Sequence, residues 1–488
     1  MDVCEYLRGL GYDTKAYTEF IGNIIYWKEW YRGDVDKFHT YTVYNGVKNV
    51  ELKRMSLQMP KFICEKMADL LFNEKVMISL KDETNTNTLN EILDENDFQL
   101  LMNRAIEISF ALGTGCITAN IDNILVKEDD RKTTDFSKSK VKLQYINAEN
   151  LYPLSWDGDK IKEIAVITYE KLSNGEYKCV VSLHIRNEIG NYVIKNYQFL
   201  TDGNKNIISE YLNDTYVTEF DTKDTIPWFA IITPNIKNNI DLYSPYGISI
   251  YANAIDVIKS IDIDYDSFTN EIQLGRKRLF TTKEVLRFNP TTGQNEFNFD
   301  PNDIVFHVLG DGFSDEENVK NYIQEVNGNL RIEEHINALN TNLKMLGAKI
   351  GFGIRYLTFD ENTYSPKTAT EVENSNNVLY ATVSKHNKLL RETIEDIVRA
   401  IGSIGDITNQ FHIDTEEINI QFDDSIIQNE DKEREEDRKD LSQDTLSRER
   451  YIERWRNVDL AEAKEWIREI DGEEPEKGSV ELISGEIN

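Results

Sequence analysis

Two stretches of the chain carry an apolar stripe with helical spacing. In Ser244–Leu274 and again in Arg331–Ile350, large apolar side chains recur three or four residues apart, which places them on one face of a helix. The stripes consist of Tyr251, Ala254, Ile258, Ile261, Tyr265, Phe268 and Ile272 in the first stretch, and of Ile332, Ile336, Leu339, Leu343, Leu346 and Ile350 in the second. Neither stripe is long enough for a free-standing coiled coil, so the pattern predicts two helices that pack against each other or against neighbours.

Short β-branched and aromatic runs separate these two helices. The runs are Arg278–Thr282, Ile304–Leu309 and Tyr322–Val326, and glycine-containing turns lie between them. This pattern predicts a small β insertion between the helices.

The beginning of the chain has helical periodicity. The spacing predicts helices near Lys15–Trp30, over Met55–Phe72 and over Asp97–Leu112, with a loop through Gly33 and Asn45–Gly46 between the first two. Gly113 follows the third helix where a left-handed cap is needed.

From Ile117 to Thr233 the pattern changes to that of strands. The clearest runs are Ile164–Tyr169, Tyr177–Ile185 and Asn191–Leu200, and the turn pairs Asn174–Gly175 and Asp202–Gly203 follow two of them. An antiparallel meander fits these signals best. The polar segment Asp129–Lys140 is expected to be an exposed loop.

The last part of the chain is mostly helical again. After an irregular stretch, Gly351–Lys367, a capping box formed by Thr368 and Glu371 starts a long helix that we expect to end at Gly402. A strand is predicted at Ile418–Phe422, and a charged helical region at Glu430–Ile470, before a frayed tail that starts at Asp471. The predicted fold class is therefore α+β, in several domains.

Composition adds a strong acidic bias. The 488 residues include 55 Lys and Arg against 86 Asp and Glu, which gives a formal net charge of −31. Because phosphate groups are bound by cations, this balance argues against ordinary grip on nucleic acid or on an anionic membrane, although a small basic patch remains compatible with it. The four cysteines have no metal or redox spacing, so we expect reduced, mostly buried thiols.

A search for catalytic motifs finds none. The sequence has no P-loop, no dinucleotide-binding glycine motif after a strand, no HExxH and no GxSxG elbow. The six histidines are scattered and are expected to be structural or exposed. We therefore assign no catalytic, metal-binding or cofactor-binding residue, and no cofactor. There is no secretory signal or run long enough to span a membrane, so we expect synthesis in the cytosol.

The three aspartates of the segment IDIDYDS leave two interpretations open. Asp262, Asp264 and Asp266 resemble the start of a calcium loop or the carboxylates of a two-metal nuclease, but Ser267 and Gln273 stand where a calcium loop needs Gly and Glu. We expect a solvated or channel-facing acidic surface, with a metal site as the alternative.

One local concentration of positive charge departs from the acidic background. Arg276, Lys277 and Arg278 follow directly after the first striped helix. They form a candidate basic patch that could contact phosphate, or they stabilise the C-terminus of that helix against its dipole.

Several segments together resemble one family, the portal proteins of tailed bacteriophages, of the type found in long-tailed phages of Gram-positive hosts. The segments are WKEWYRGDV from Trp27, RMSLQMPKFICEKMADLLFNE from Arg54, LQYINAENLYPLSWD from Leu143, NNIDLYSPYGISIYANAIDVIKSIDIDYDSFTNEIQLGRKRLF from Asn238, TATEVENSNNVLYATV from Thr368 and DDSII from Asp423. They cover nearly the whole chain in the right order, and they are specific only jointly.

The resemblance implies a ring of twelve subunits whose parts are called wing, stem, clip and crown. By position, the expected assignments are wing at 1–233, first stem helix at 234–274, clip at 275–329, second stem helix at 330–350, tunnel loop at 351–367, long wing helix at 368–405, and crown with the C-terminal tail at 406–488. The candidate stem-packing residues are Tyr251, Ile258, Ile261, Tyr265, Ile336, Leu339, Leu343 and Leu346. In the tunnel loop, Arg355, Tyr356 and Lys367 are the candidates for contact with DNA.

The resemblance also implies a non-enzymatic function. Such a protein sits in the virion at one capsid vertex, after assembly in the host cytoplasm, and forms the channel for DNA packaging and genome ejection. Its expected partners are further copies of itself, double-stranded DNA, the terminase, a head-to-tail adaptor, and the major capsid and scaffolding proteins, with no membrane partner. The alternatives are a metal-dependent nuclease that uses Asp262, Asp264 and Asp266, or a tail or baseplate component.

Overall fold

The chain forms two compact units, Met1–Phe422 and Asp423–Asn488. The computed structural model describes residues 2–44, 48–73, 76–122, 125–127, 130–202, 206–211, 217–274, 278–281, 287–291, 294–296, 306–308, 323–326, 330–358, 369–422, 430–443, 445–456, 463–464 and 466–468. The boundary between the units falls later than the crown boundary expected at residue 406, because strand Ile418–Gln421 pairs with Met77–Leu80 in the first unit.

The helices of the first unit include all those predicted from periodicity. They are α1 Val3–Gly9, α2 Lys15–Arg32, α3 Asp36–His39, α4 Met59–Leu71, α5 Glu83–Glu95, α6 Phe98–Leu112, α7 Ile255–Leu274, α8 Ile332–Ile350 and α9 Ala369–Thr408. Gly113 ends α6 with a φ of 86°, as predicted. The sequence analysis missed α1, α3 and α5, and it placed a loop where α3 and the strands β1 and β2 lie. Helix α1 is short and begins with a capping box between Asp2 and Glu5.

The strands of the first unit are short and mostly antiparallel. They are β1 Thr40–Tyr44, β2 Asn49–Lys53, β3 Met77–Leu80, β4 Gly115–Asp122, β5 Leu125–Lys127, β6 Asp130–Asp135, β7 Lys140–Asn147, β8 Leu151–Asp157, β9 Lys160–Lys171, β10 Tyr177–Arg186, β11 Tyr192–Thr201, β12 Ile207–Glu210, β13 Glu219–Asp221, β14 Phe229–Ile232, β15 Arg278–Thr281, β16 Arg287–Asn289, β17 Gln294–Glu296, β18 Phe306–Val308, β19 Ile323–Val326 and β20 Ile418–Gln421.

The largest sheet is the predicted antiparallel meander. Strands β8 to β12 lie side by side in chain order, and β13 pairs with β11. The pairing of β9 with β10 closes through a turn at Asn174–Gly175, where Gly175 has a φ of 88°. Turn chemistry and β-branched runs therefore predicted this antiparallel meander correctly.

The meander buries both faces, each against a different layer. The side chains of Ala165 and Ile167 point to one face and pack with Leu7 of α1. The alternate residues Ile164 and Val166 point to the other face and pack with residues of a second sheet, whose order is β14-β4-β7. The two-residue period of the strands thus places two cores on opposite sides of one sheet.

The β insertion between α7 and α8 has the strands that were predicted. In the described part of the insertion, β15 pairs in parallel with β18 and in antiparallel with β19, and β16 and β17 form a hairpin that the sequence analysis did not predict.

The expected exposed loop at Asp129–Lys140 is wrong for most of its length. Residues Asp130–Asp135 form β6, which pairs with β5. The segment is rich in polar residues, but an antiparallel hairpin satisfies its backbone groups without needing apolar side chains.

The long helix α9 does not end at Gly402. It continues to Thr408, and Asn409 follows with a left-handed φ of 53°. A Cβ atom at Gly402 would lie 2.9 Å from Cγ2 of Thr415, and one at Gly405 would lie 2.4 Å from the ring of Phe411. The glycines therefore allow the returning chain to pack on the helix, and they are not stop signals.

The second unit contains α10, Glu430–Ser442, and α11, Arg448–Arg456, where one charged helical region was predicted. The two helices are joined through Asp437, whose carboxylate accepts hydrogen bonds from Arg454 and from the indole of Trp455. Among the charges of this region, Asp437 is buried, so the region has its own small interface.

Candidate functional site

The two striped helices lie antiparallel against each other. At one end of the pair, the carboxylate of Glu271 on α7 accepts hydrogen bonds from Arg331 at 2.7 Å and from His335 of α8 at 2.6 Å. At the other end, Nζ of Lys349 donates to the backbone oxygen of Asn253 at 3.0 Å. The hydrogen bonds from Arg331, the largest cause, and from His335 lower the pKa of Glu271 to about 2.

The first of these helices starts later than its stripe suggested. A 3-10 turn at Ala252–Ala254 leads into α7, and the described residues 234–251 contain no helix. Pro245 disfavours helical backbone at Ser244, so the start of the stretch is not helical. The helical part of the expected first stem segment is therefore Ile255–Leu274 with the turn before it.

The half of the pair nearest Asn253, which we call the proximal half, buries its stripe within the chain. The side chains of Tyr251, Ile258 and Ile261 are buried, and so are those of Leu343 and Leu346 on α8. The hydroxyl of Tyr251 also donates a hydrogen bond to the backbone oxygen of Trp27 at 2.8 Å. These five candidate packing residues belong to the core of the protomer.

The distal half, nearest Glu271, leaves its apolar residues partly uncovered. Tyr265 and Leu339 are half-buried, whereas Ile336 is 43% exposed and Ile332 and Ile272 are exposed to a similar degree. The stripe is continuous in sequence, but only part of it has a partner within the described chain.

The acidic residues of α7 do not form the surface that the sequence suggested. Asp262 and Asp266 are buried, and the expectation of a solvated or channel-facing surface is wrong for both. Asp262 accepts hydrogen bonds from the backbone N–H of Leu57 at 2.8 Å and from the hydroxyl of Ser56 at 3.0 Å. Asp266 accepts one from the backbone N–H of Met55 at 3.1 Å.

A buried histidine completes this network. The backbone N–H of Val35 donates to Nδ1 of His39 at 2.8 Å, so the ring proton is on Nε2, which donates to Asp262 at 3.1 Å. Burial raises the pKa of Asp262, while the hydrogen bonds from Leu57, His39 and Ser56 act in the opposite direction. The network connects α7 to the segment that precedes α4.

The three aspartates are not brought together for a metal. Asp264 points to α8, where it accepts a hydrogen bond from Asn342 at 2.7 Å, away from Asp262 and Asp266. In the part of the chain that the structure describes, no cluster of three His, Cys, Asp or Glu side chains could hold a metal ion. The geometry therefore gives no support to the nuclease alternative.

The polar side of α7 is partly open to solvent. Asp256 is 93% exposed and is paired with Lys259 at 3.0 Å, and Ser267 is exposed as well. Ser260 is half-buried, and its hydroxyl donates to the backbone oxygen of Asp256. These residues are the ones that a neighbouring molecule or solvent could reach.

The residues after α8 form a tight turn at the start of the expected tunnel loop. Gly351 and Gly353 have φ values of 83° and 80°. The ring of Tyr356 stacks on Phe352 with 4.9 Å between the ring centres, and burial raises the pKa of Tyr356. Arg355 is half-buried beside it. The third candidate, Lys367, lies outside the described residues.

The candidate basic patch is described only in part. Arg276 and Lys277 lie outside the described residues, and Arg278 is described through its backbone as the first residue of β15. The patch remains an expectation from sequence.

The cysteines are free and buried, as predicted. They are Cys4, Cys64, Cys116 and Cys179, and burial raises the pKa of the Cys116 thiol. None of the helices in the described part of the chain combines the length and the apolarity that a bilayer span requires.

Sequence analysis missed the contact between His39 and Asp262. The two residues are separated by more than two hundred positions, and a lone histidine after a short aromatic run carries no signal for its partner. The spacing of Asp262 and Asp266, which puts both on one helical face, was the signal that polar groups of another segment pack against this face.

Of the comparisons with known proteins, the match to a family profile identifies the family. A search of curated proteins finds no match to this sequence. Among solved structures, a chain from "Neck of native GTA particle computed with C12 symmetry" is similar at 10% identity, with a TM-score of 0.37, and the match covers 80% of this chain and 87% of the other. The sequence profile of the family described as "Phage portal protein, SPP1 Gp6-like" matches residues 10–476. The chain, matched over nearly all of its length, belongs to this family of phage portal proteins.

Proposed function

We propose that the protein forms a ring of twelve copies at one capsid vertex and that DNA passes through its central channel during packaging and ejection. The portal family consists of structural, non-enzymatic proteins of the phage particle, and membership implies assembly as an oligomeric ring. The number of copies and the path of DNA are the proposal.

The observation that carries this proposal is the uneven burial of the helix pair. The proximal half of α7 and α8 is anchored in the core of the protomer, whereas Ile272, Ile332 and Ile336 in the distal half are exposed. Exposed apolar residues that continue a buried stripe are typical of surfaces that neighbouring subunits cover. Such a pair is a stem that contacts the next copy through its distal half.

Charge supports the passage of DNA without tight binding. Each copy carries a formal net charge of −31. An acidic channel lining repels the phosphate backbone, so a moving duplex meets little attraction from the wall. On α7 the exposed Asp256 and Ser267 are candidates for this lining.

The division of the chain follows from the same proposal. We assign the helices and sheets up to residue 233, together with α9, to the wing, α7 and α8 to the stem, the β insertion 275–329 to the clip, and 351–367 to the tunnel loop. The crown begins in the second compact unit, at Asp423, because β20 belongs with the first unit.

The proposed partners follow from the position of each part. The strands of the clip are presented between the stem helices, where the terminase and later the head-to-tail adaptor could pair with their edges. The wing faces the major capsid and scaffolding proteins. The protein acts in the virion, after assembly in the host cytoplasm.

Electron microscopy of the purified full-length protein tests the proposal. We expect rings with an open centre, and substitution of Ile332 and Ile336 by Ser should shift the population towards monomers, while Glu333→Gln on the same helical turn serves as the control. A stable monomer of the unmodified protein under assembly conditions contradicts the proposal. Rings without a wide channel favour a tail component.

The candidate DNA contacts need a separate test. Replacing Arg355 and Lys367 by Gln should leave ring formation intact and reduce the amount of DNA packaged or retained by assembled particles, because transient phosphate contacts are lost. Unchanged packaging removes these residues from the proposal, and loss of rings makes them structural.

A further inference from the structure

The loop that leads into the helix pair has an ordered base. Asn238 is buried, and its Oδ1 accepts hydrogen bonds from the backbone N–H groups of Ile240 and Asp241, at 2.9 and 3.0 Å. Its Nδ2 donates to the backbone oxygen of Tyr246 at 2.9 Å. A single side chain thus fixes both ends of the loop.

The far end of the loop is fixed as firmly. The ring of Tyr246 stacks on Phe20 with 5.2 Å between ring centres, and its hydroxyl donates to the backbone oxygen of Leu151 at 2.7 Å. Within the loop, the carboxylate of Asp241 accepts a hydrogen bond from the backbone N–H of Tyr243 at 3.0 Å. The conformation of the tip is therefore determined by contacts of polar groups and not by burial of its apolar side chains.

Those apolar side chains point away from the protomer. Ile240 is 50% exposed, Leu242 is 62% exposed and Tyr243 is 87% exposed. We call these three residues the apolar knob. Single exposed apolar residues are ordinary, but three within four positions on an internally hydrogen-bonded loop form a patch of the kind that marks an interaction site.

We propose that the apolar knob packs against a neighbouring copy of this chain in the ring, an inference that rests on the proposed function. The charge of the protein favours this occupant. From Asn238 to Tyr246 the only ionisable acid or base apart from tyrosine is Asp241, and its carboxylate already accepts a hydrogen bond within the loop. Copies that each carry −31 repel one another, so they must meet through apolar surfaces that are poor in charge.

The position of the knob supports the same occupant. Asn239 donates a hydrogen bond to the side chain of Asn253 at 2.9 Å, and the backbone oxygen of Asn253 accepts one from Lys349 of α8. The knob is therefore attached to the proximal end of the stem, while the exposed Ile332 and Ile336 lie at the distal end. Two apolar contacts at opposite ends of the stem would fix the angle between neighbouring copies as well as hold them together.

The test compares the ring fraction of purified variants at equal protein concentration. Leu242→Ser with Tyr243→Ser removes most of the apolar knob, and we expect the association constant between copies to fall at least tenfold. Ile189→Ser is the matched control, because Ile189 is 85% exposed in the turn between β10 and β11, and it should assemble like the unmodified protein. Circular dichroism and thermal melting of the monomer report whether the variants fold.

Photocrosslinking identifies the occupant directly. A benzophenone amino acid at position 243 of the assembled ring should yield products of twice the chain mass, and mass spectrometry of these products locates the receiving residue on the second copy. The proposal is overturned if the double variant forms rings as well as the Ile189 control does, or if crosslinks at position 243 join only residues of the same copy. Crosslinking to another phage protein, and not to a second copy, also overturns it.

The failure of this inference is distinguishable from failure of the proposed function. If the unmodified protein forms no rings, the proposed function is wrong. If the unmodified protein and the double variant form rings equally well, only the role of the apolar knob is wrong.

Discussion

At the scale of single residues, the buried carboxylate of Asp262 connects α7 to residues that are distant in sequence. It accepts hydrogen bonds from the side chains of His39 and Ser56 and from the backbone of Leu57. A buried charge is tolerated only where donors satisfy it, and here the donors come from a segment distant in sequence. The network therefore sets the position of α7 on the rest of the first unit.

Asp262→Asn should destabilise the first unit by about 2–4 kcal/mol, because Asn cannot accept from all three donors and adds two donors of its own. Chemical denaturation of the monomer followed by circular dichroism measures the loss. Asp256→Asn, a change of the same type at an exposed position of the same helix, should alter stability by less than about 0.5 kcal/mol. Equal effects at the two positions contradict the role given to Asp262.

A second residue-scale prediction concerns acid. His184 is buried in β10 near Phe229, and neither ring nitrogen has a hydrogen-bond partner among the described residues. Burial lowers the pKa of His184 from 6.5 to about 4. Between these two values the unfolded chain binds a proton that the folded chain does not, so stability is lost as the pH falls from about 6.5 to 4.

When the pH falls from 7 to 4.5, the free energy of unfolding of His184→Leu should decrease by about 2–3 kcal/mol less than that of the unmodified protein. Denaturation of both proteins at the two pH values measures the difference. His412→Gln is the control. A hydrogen bond to Asp406 raises the pKa of His412, so protonation of His412 stabilises the folded chain as the pH falls. Replacing His412 therefore cannot make the protein more resistant to acid. If the free energy of unfolding of His184→Leu depends on pH as that of the unmodified protein does, protonation of His184 does not destabilise the folded chain.

At the scale of elements, close approach between backbones decides where helices end and pack. Gly347 lies on α8 opposite the turn that follows the helix, and a Cβ atom there would lie 2.1 Å from the backbone oxygen of Gly353. The absence of a side chain at Gly347 lets the chain fold back towards α8 at the start of the proposed tunnel loop.

Gly347→Ala should therefore destabilise the protein by about 1–3 kcal/mol, although alanine favours helix more than glycine does. The matched change Gly22→Ala on α2 meets no atom within 4 Å and should stabilise the protein by about 0.5–1 kcal/mol. Thermal melting of both variants measures the difference. If Gly347→Ala melts as high as Gly22→Ala, the turn after α8 is not held against the helix.

At the scale of the whole molecule, electrostatic repulsion between copies disfavours ring assembly, whereas apolar contacts between copies favour it. Each copy carries −31, and repulsion between copies extends over a Debye length of about 10 Å at 0.1 M salt and about 3 Å at 1 M. The apolar contacts proposed for the stem and the knob are not weakened by salt in this way.

We therefore expect the ring fraction at a fixed protein concentration to rise with sodium chloride between about 0.05 and 0.5 M, as measured by analytical ultracentrifugation. In the variant in which Ser replaces Ile332 and Ile336, the ring fraction should rise less with salt. Screening removes repulsion between copies, but the attraction comes from the apolar contacts that this variant has lost. A ring fraction that falls with salt indicates that ion pairs hold the copies together.

Much of this structure could be predicted from the chain alone, for local reasons. Alternation of apolar residues and the Asn174–Gly175 turn specified the meander, and three-four spacing specified α2, α4, α6 and α8. The failures occur where one local signal is compatible with two different tertiary arrangements. Gly402 has the same sequence signal whether it ends a helix or accommodates Thr415 from a returning segment.

The sequence by itself determined the periodic elements, the acidic charge, the absence of known catalytic motifs and the resemblance to portal proteins, because these depend on neighbours along the chain or on composition. Only the tertiary structure decided which half of each stripe is core, that Asp262 and Asp266 are buried, and that the knob of Ile240, Leu242 and Tyr243 is exposed. Burial depends on residues that are distant in sequence, and one helical period is the same whether its face meets the protomer, solvent or a second copy.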